Sequence, residues 1–216
     1  MRHARQLAAA TISTVVGMLM LAVPATAATD SSTDDTGPLT AEYVDKDGNI
    51  TVFGEVAAGA DSLSTQAVVT SSSYPWQTWA ACGASTADSK LVRAFSAGHA
   101  PMTSVYIRTV NLRCGNATYG YRHILAQHAT QWQTLSNLAG GLNWRYFADW
   151  AIAQSLASPY RYCQNTSANT LNYVGLIQFR KTDGTIGATY YPRIPTGKTS
   201  YNIITAFPQS VPTTGC

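Results

Sequence analysis

Four cysteines, Cys82, Cys114, Cys163 and Cys216, are the tightest constraint on how this chain can fold. They are even in number and widely spaced, and the close Cys or His pairs that a metal site wants are missing, so in an oxidising compartment they read as two disulfides. The N-terminus supplies that compartment. Arg2, His3 and Arg5 precede an apolar core from Leu7 to Val23, and Ala25-Thr26-Ala27 offers small residues for cleavage, the layout of a secretory signal over residues 1–27. Thr11, Ser13 and Thr14 interrupt the apolar run, and no later stretch approaches the roughly 20 apolar residues of a membrane span. The mature chain, from Ala28, is therefore expected to be secreted, extracellular and free of the membrane. All three pairings of the cysteines remain open. Each bridge should stabilise by about 2–4 kcal/mol, and a bridged Cys216 would tie the last residue to the body.

Charge divides the mature chain in two. Residues 28–70 carry Asp30, Asp34, Asp35, Glu42, Asp45, Asp47, Glu55 and Asp61 against Lys46 alone, whereas residues 71–216 carry eleven Lys or Arg against Asp88, Asp149 and Asp183. An acidic leader or pro-segment over 28–70 is expected to precede a basic, disulfide-stapled domain over 71–216, near the common domain size. A basic domain favours polyanionic partners, nucleic acid first among them; secreted proteins are also basic for solubility or wall attachment alone.

Periodicity gives the elements. EYVDKDGNITVFGEV reads as a small hairpin about Asp47-Gly48, and Lys90–Phe95 and Ser104–Leu112 alternate like strands. From Arg122 to Leu138 the pattern is helical, with Leu125, Trp132, Leu135 and Leu138 on one stripe and Gly140-Gly141 ending it. A second helix starts at an Asn143 cap and runs to Leu156. NYVGLIQFRK, the turn Asp183-Gly184 and TIGATYYP form a hairpin, and SYNIITAF a last strand closed by Pro208. The expected fold class is α+β, with N-terminal helices packed on a small antiparallel C-terminal sheet.

The chemistry concentrates in YGYRHILAQHATQWQ, which places His123 and His128 at the head of the first helix. Five residues turn a regular helix by about 140°, so the two rings should not share a face. His128 lies on the stripe with Leu125, Trp132 and Leu135, where a hydrogen-bonded structural histidine is the plain alternative. The zinc pattern H-E-x-x-H fails in spacing and lacks its Glu, so no metal is expected. Two nearby imidazoles suit proton transfer near neutral pH, and Arg180, Lys181, Arg193, Lys198 and Thr205 on the C-terminal sheet could serve a developing anion. Trp132, Trp144 and Trp150 read as core. No G-x-S-x-G elbow supports a serine hydrolase. A secreted, Tyr-rich binding or inhibitory protein is the non-enzymatic alternative, with His99 as an unrelated loop residue.

G-Y-R-H-I-L-x-x-H followed by a terminal hairpin and I-I-T-A-F-P resembles the superfamily of small metal-independent ribonucleases that unites barnase, EndoU, colicins D and E5 and RelE-type toxins, especially EndoU-like toxin domains of secreted bacterial effectors. The resemblance covers roughly Tyr119 to Pro208. It implies an RNA substrate cleaved by attack of a ribose 2′-hydroxyl on the adjacent phosphate, leaving a cyclic phosphate, with no cofactor, in a monomer that a protein inhibitor or immunity protein could hold. Carried over, the motif assigns catalysis to His123, His128 and Thr205, with Lys198, Arg180 or Lys181 as the basic group. Arg193, Lys181, Tyr201 and Tyr191 would bind substrate. Where family members often have Tyr this chain has Phe207, so a phenol's role would pass to Tyr190, Tyr191 or Tyr201. The cysteines suit an extracellular nuclease better than one delivered into a reducing cytosol.

Overall fold

The computed structural model describes residues 37–54, 79–98 and 108–212. Their elements in chain order are β1 (Thr40–Val44), β2 (Ile50–Val52), β3 (Leu91–Ala97), β4 (Arg108–Arg113), α1 (Gly120–Leu138), α2 (Trp144–Ala157), β5 (Arg161–Asn165), β6 (Thr170–Val174), β7 (Ile177–Arg180), β8 (Ile186–Gly197) and β9 (Phe207–Gln209). The signal segment, residues 55–78, His99 and Cys216 lie outside the described residues. Among the described residues no helix is long and apolar enough to cross a membrane.

A long hairpin organises the sheet. β6 and β7 act as two halves of one arm, because β6 pairs with Arg193–Gly197 of β8 and β7 with Ile186–Tyr190 in the same antiparallel sense. Asp183 Oδ1 accepts from Thr185 N at 2.7 Å and Gly184 takes a positive φ, so the Asp-Gly turn closes the hairpin as the sequence predicts. Between the two halves Gly175 lies under α2, where a Cβ would come 2.3 Å from Ser155 Oγ and 2.8 Å from the Tyr43 ring. On one side of the hairpin β1 pairs with β7, and β2 with β1, while β5 pairs with β6. On the other side β9 pairs with β8.

This architecture corrects the expected one. The helices lie mid-chain rather than at the N-terminus, four strands precede them, and the fold is predominantly β, with a seven-stranded sheet and a separate β3–β4 pair. The acidic segment hides two strands: Ala41 and Tyr43 of β1 are buried in the core on either side of Glu42. The last strand also departs from its expected continuous run. Ile203 bridges Thr196 and Ile204 N still donates to Pro195 O, but the run is then interrupted as carbonyls turn to α1: Ile204 O accepts from Gly120 N and Ala206 O from the Trp132 indole. Pairing resumes at Phe207, and Pro208, lacking an N–H, sits on an edge strand covered by a helix.

α1 therefore runs beside β9, while α2, capped by Asn143 accepting from Arg145 N, packs on the hairpin. The helical stripe is shifted from the expected one: Tyr121, Ile124, Trp132 and Leu135 are buried, whereas Leu125 is 42% exposed. Trp144 and Trp150 are buried, as is Phe147, stacked on Phe179 at 5.9 Å.

Candidate functional site

The site begins where α1 begins. Gly115 and Gly120 both take positive φ, and a Cβ on Gly115 would lie 2.0 Å from the Tyr119 carbonyl oxygen, so only glycine allows the chain to close this tightly. The loop between them presents the Ala117 carbonyl to His123, whose Nδ1 donates to it at 2.8 Å. A carbonyl only accepts, so His123 carries its proton on Nδ1 and leaves Nε2 available.

Arg122 fastens the same turn. Its guanidinium donates to Asp88 Oδ1 at 2.8 Å and to the carbonyls of Gly115, Gly83 and Thr86. Asn116 Nδ2 reaches the other Asp88 oxygen at 3.0 Å. The Cys82–Cys114 disulfide closes this network. Cys163 is also in a disulfide.

The His128 ring stacks on Phe207, centroids 4.9 Å apart, and its Nδ1 contacts Gln131 Oε1 at 2.9 Å. Burial holds its pKa below the ordinary imidazole value; the Gln131 bond opposes that shift, and charge on His123 adds to it. The two imidazole centroids stand 5.5 Å apart, edge to face. Regular helix runs through both positions, yet long side chains leaning toward each other overcome the angular offset that spacing alone predicts.

β-Sheet register sets a cation beside the ring that carries His128. Phe207 lies directly opposite Arg193, so both side chains project from the same sheet face, and the Phe207 ring carries His128. Arg193 Nε and Nη2 approach Asn172 Oδ1 at 3.4 and 3.3 Å. Thr205 lies in the interrupted stretch that docks on α1, and its hydroxyl is buried with no hydrogen-bond partner among the described residues.

The other expected site residues make contacts of their own. Arg180 pairs with Glu42 of β1 at 3.0 Å, opposite Ile186, and the stretch of β8 from there to Arg193 is roughly 23 Å long at about 3.3 Å per residue. Lys181 opens the turn of the long hairpin, its N–H bonded to Thr185 O. Lys198 follows β8, its N–H bonded to Asn169 O, roughly 16 Å along the chain from Arg193. Tyr201 adopts a left-handed φ of 52° under the Arg108 guanidinium. Tyr191 pairs with Gln209 beside Tyr160, and Tyr190 packs edge-on to Phe179. Sequence reasoning missed Ala117, Gln131 and the contact role of Phe207. Only Gln131 left a local signal, its i+3 spacing from His128.

No protein-family model matches the chain, and no solved structure matches it. It is similar to two curated proteins of Mycobacterium tuberculosis, one from strain CDC 1551 / Oshkosh and one from strain ATCC 25618 / H37Rv, each named as an uncharacterized protein. Each is 37% identical over 147 residues, a match covering 63% of this chain and 52% of the relative. The chain thus spans about half the length of the curated relatives it matches.

Proposed function

We propose that this protein is a secreted, metal-independent endoribonuclease that cleaves RNA by 2′-hydroxyl transesterification. The observation that carries the reading is the meeting of His123 and His128 at 5.5 Å with different environments. His128, whose neutral form burial favours, is the general base: its Nε2 takes the proton of the ribose 2′-hydroxyl as that oxygen attacks phosphorus. The bond from phosphorus to the 5′-oxygen breaks, and protonated His123 delivers the Nε2 proton to the leaving oxygen. The products are a 2′,3′-cyclic phosphate and a 5′-hydroxyl end.

The phosphorane needs positive charge and donors, and Arg193 supports this need better than Arg180, which Glu42 occupies, or Lys198, which lies at the far end of β8. The Thr205 hydroxyl is buried without a described partner, so it can donate to a phosphate oxygen only where substrate binding uncovers it. An N-terminal secretory signal and paired cysteines agree with action outside the cell, where an inhibitor protein would be the natural partner of such an activity.

The test is incubation of the mature chain with RNA in EDTA. Cyclic-phosphate ends are expected, with no cleavage where the 2′-hydroxyl is replaced by hydrogen. His123→Ala and His128→Ala should each lower the rate by about 10²- to 10⁴-fold with the fold intact. Full activity in both variants removes the mechanism, and RNA binding without any cleavage by the unaltered chain returns the protein to the class of binding proteins.

A further inference from the structure

A second place in the molecule has the features of a binding site. A cleft of about 500 Å³ opens between the segment Trp79–Gly83 and the first turns of α1 and α2, within the size range of small-molecule sites. Its aromatic floor is rigid. Tyr121 and Trp144 stack with planes 7° apart, and Trp79 stands edge-on to both at 5.8 and 5.7 Å. The Trp79 indole N–H is fixed by Asp149 Oδ1 at 2.6 Å, and Arg93 holds that carboxylate in turn.

Arg145 lines this cleft and is held without being neutralised. Its guanidinium lies over the Trp144 ring at 4.9 Å and the Tyr121 ring at 5.6 Å, and its Nε and Nη2 both donate to the Tyr121 hydroxyl, at 3.0 and 2.6 Å. The carboxylates that pair with arginine elsewhere among the described residues are Asp149, Asp88 and Glu42, taken by Arg93, Arg122 and Arg180; none pairs with Arg145. A guanidinium has five N–H donors in a planar fork. With the Nε edge spent on a phenol, the Nη1–Nη2 edge is left to chelate an oxyanion, the geometry in which arginine binds phosphate or carboxylate. Ala81, Cys82 and Gly83 line the same cleft, and their backbone N–H groups donate to no described residue.

We infer that this cleft binds one nucleotide of the substrate strand, its phosphate on the free edge of Arg145 and its base against the Trp79, Tyr121 and Tyr146 wall. Naming RNA as the polymer rests on the ribonuclease reading; the anion-plus-planar-ring chemistry does not. Stacking on aromatic side chains with arginine beside them is how unpaired bases are held. Tyr121 and His123 are two residues apart on α1 and flank a helix about 10–12 Å across, a span of a few nucleotides, so one strand can engage both places.

The test titrates the whole mature chain with uridine and adenosine 5′-monophosphates, inorganic phosphate and acetylglycine, read by fluorescence of Trp79 and Trp144. Both nucleotides should bind at least roughly tenfold tighter than inorganic phosphate or acetylglycine. Arg145→Gln should weaken them roughly tenfold, and Arg145→Lys, which keeps the charge and loses the fork, by a smaller factor. His123→Ala should leave this binding unchanged. With RNA, Arg145→Gln should raise KM and spare kcat.

Inorganic phosphate binding as tightly as nucleotide overturns base recognition. Acetylglycine binding best reassigns the cleft to a peptide carboxylate, and nucleotide affinity indifferent to Arg145, or absent, removes the site. If the unaltered chain cleaves no RNA, the ribonuclease reading falls while the nucleotide titration still decides the cleft.

Discussion

The Thr205 hydroxyl is buried and bonded to no described residue, a state that costs about 1–3 kcal/mol in an ordinary core. Such a cost is tolerable where the group awaits a ligand. Thr205→Val keeps the shape and removes the unsatisfied oxygen, so thermal unfolding should show a melting temperature unchanged or raised, while RNA cleavage falls by roughly 10²-fold, the loss typical of a single transition-state donor. A variant that is both stable and fully active would remove Thr205 from the reaction. Phe207 bears on the neighbouring proton chemistry. Its ring helps to desolvate His128, whose pKa is lowered chiefly by burial. The depressed folded value favours the neutral ring, so its contribution to stability is complete above the ordinary value of about 6.5 and is lost as pH falls through the folded value. Phe207→Ala exposes the imidazole and should raise its pKa toward about 6.5. The acid limb of the kcat/KM profile should then move to higher pH, together with the His128 ring-proton titration followed by NMR. An unmoved titration would show that Phe207 does not desolvate the base.

Elements carry the histidines only if the turn before α1 holds. One guanidinium, Arg122, joins that turn to the segment behind the Cys82–Cys114 bridge through Asp88 and three carbonyls. Lysine keeps the charge but cannot serve acceptors in four directions, so Arg122→Lys should destabilise by about 2 kcal/mol in denaturant unfolding, and the His123 Nδ1–H resonance should broaden as its carbonyl partner loosens. A sharp resonance at wild-type stability would mean that the disulfide alone secures the turn. Local chemistry of this kind was legible in the sequence: the Asn143 cap, the Asp183-Gly184 turn and the histidine-bearing helix all follow from spacing and residue type. The shifted stripe was not, because Leu125 and Ile124 are interchangeable to a periodicity count, and only the position of β9 decides which is buried. Nor was the pairing of Arg193 with Phe207, which depends on the register set by the turn between β8 and Ile203, including the left-handed Tyr201. The candidate histidines can thus be read locally, whereas the cation set opposite Phe207 is a product of long-range register.

At the scale of the whole molecule, the acidic segment presents two roles that a truncation separates. Its composition suggests a detachable leader, but its residues 40–53 are built into the sheet. β1 hydrogen-bonds along β7, Tyr43 is 1% exposed and donates from its hydroxyl to Ser158 O at 2.7 Å, and Phe53 lies 4.9 Å from Phe147 and 5.2 Å from Trp150. Removing a single buried aromatic ring typically costs about 3–5 kcal/mol. Deleting the hairpin takes away two rings, uncovers the edge of β7 and leaves Arg180 without Glu42. A fragment of residues 71–216 should therefore lose about 5 kcal/mol or more, a fall in melting temperature of roughly 10–20 °C for a domain of this size. The Tyr43→Phe variant isolates the hydroxyl and should lose only about 1 kcal/mol. Calorimetry of the mature chain, the fragment and the single variant gives the comparison. A fragment melting within a few degrees of the mature chain would make the hairpin a removable cover, and salt dependence of RNA binding would then report whether it masks the basic face. A fragment without a cooperative transition makes residues 40–53 part of the folded body, held there by the same core that positions α2.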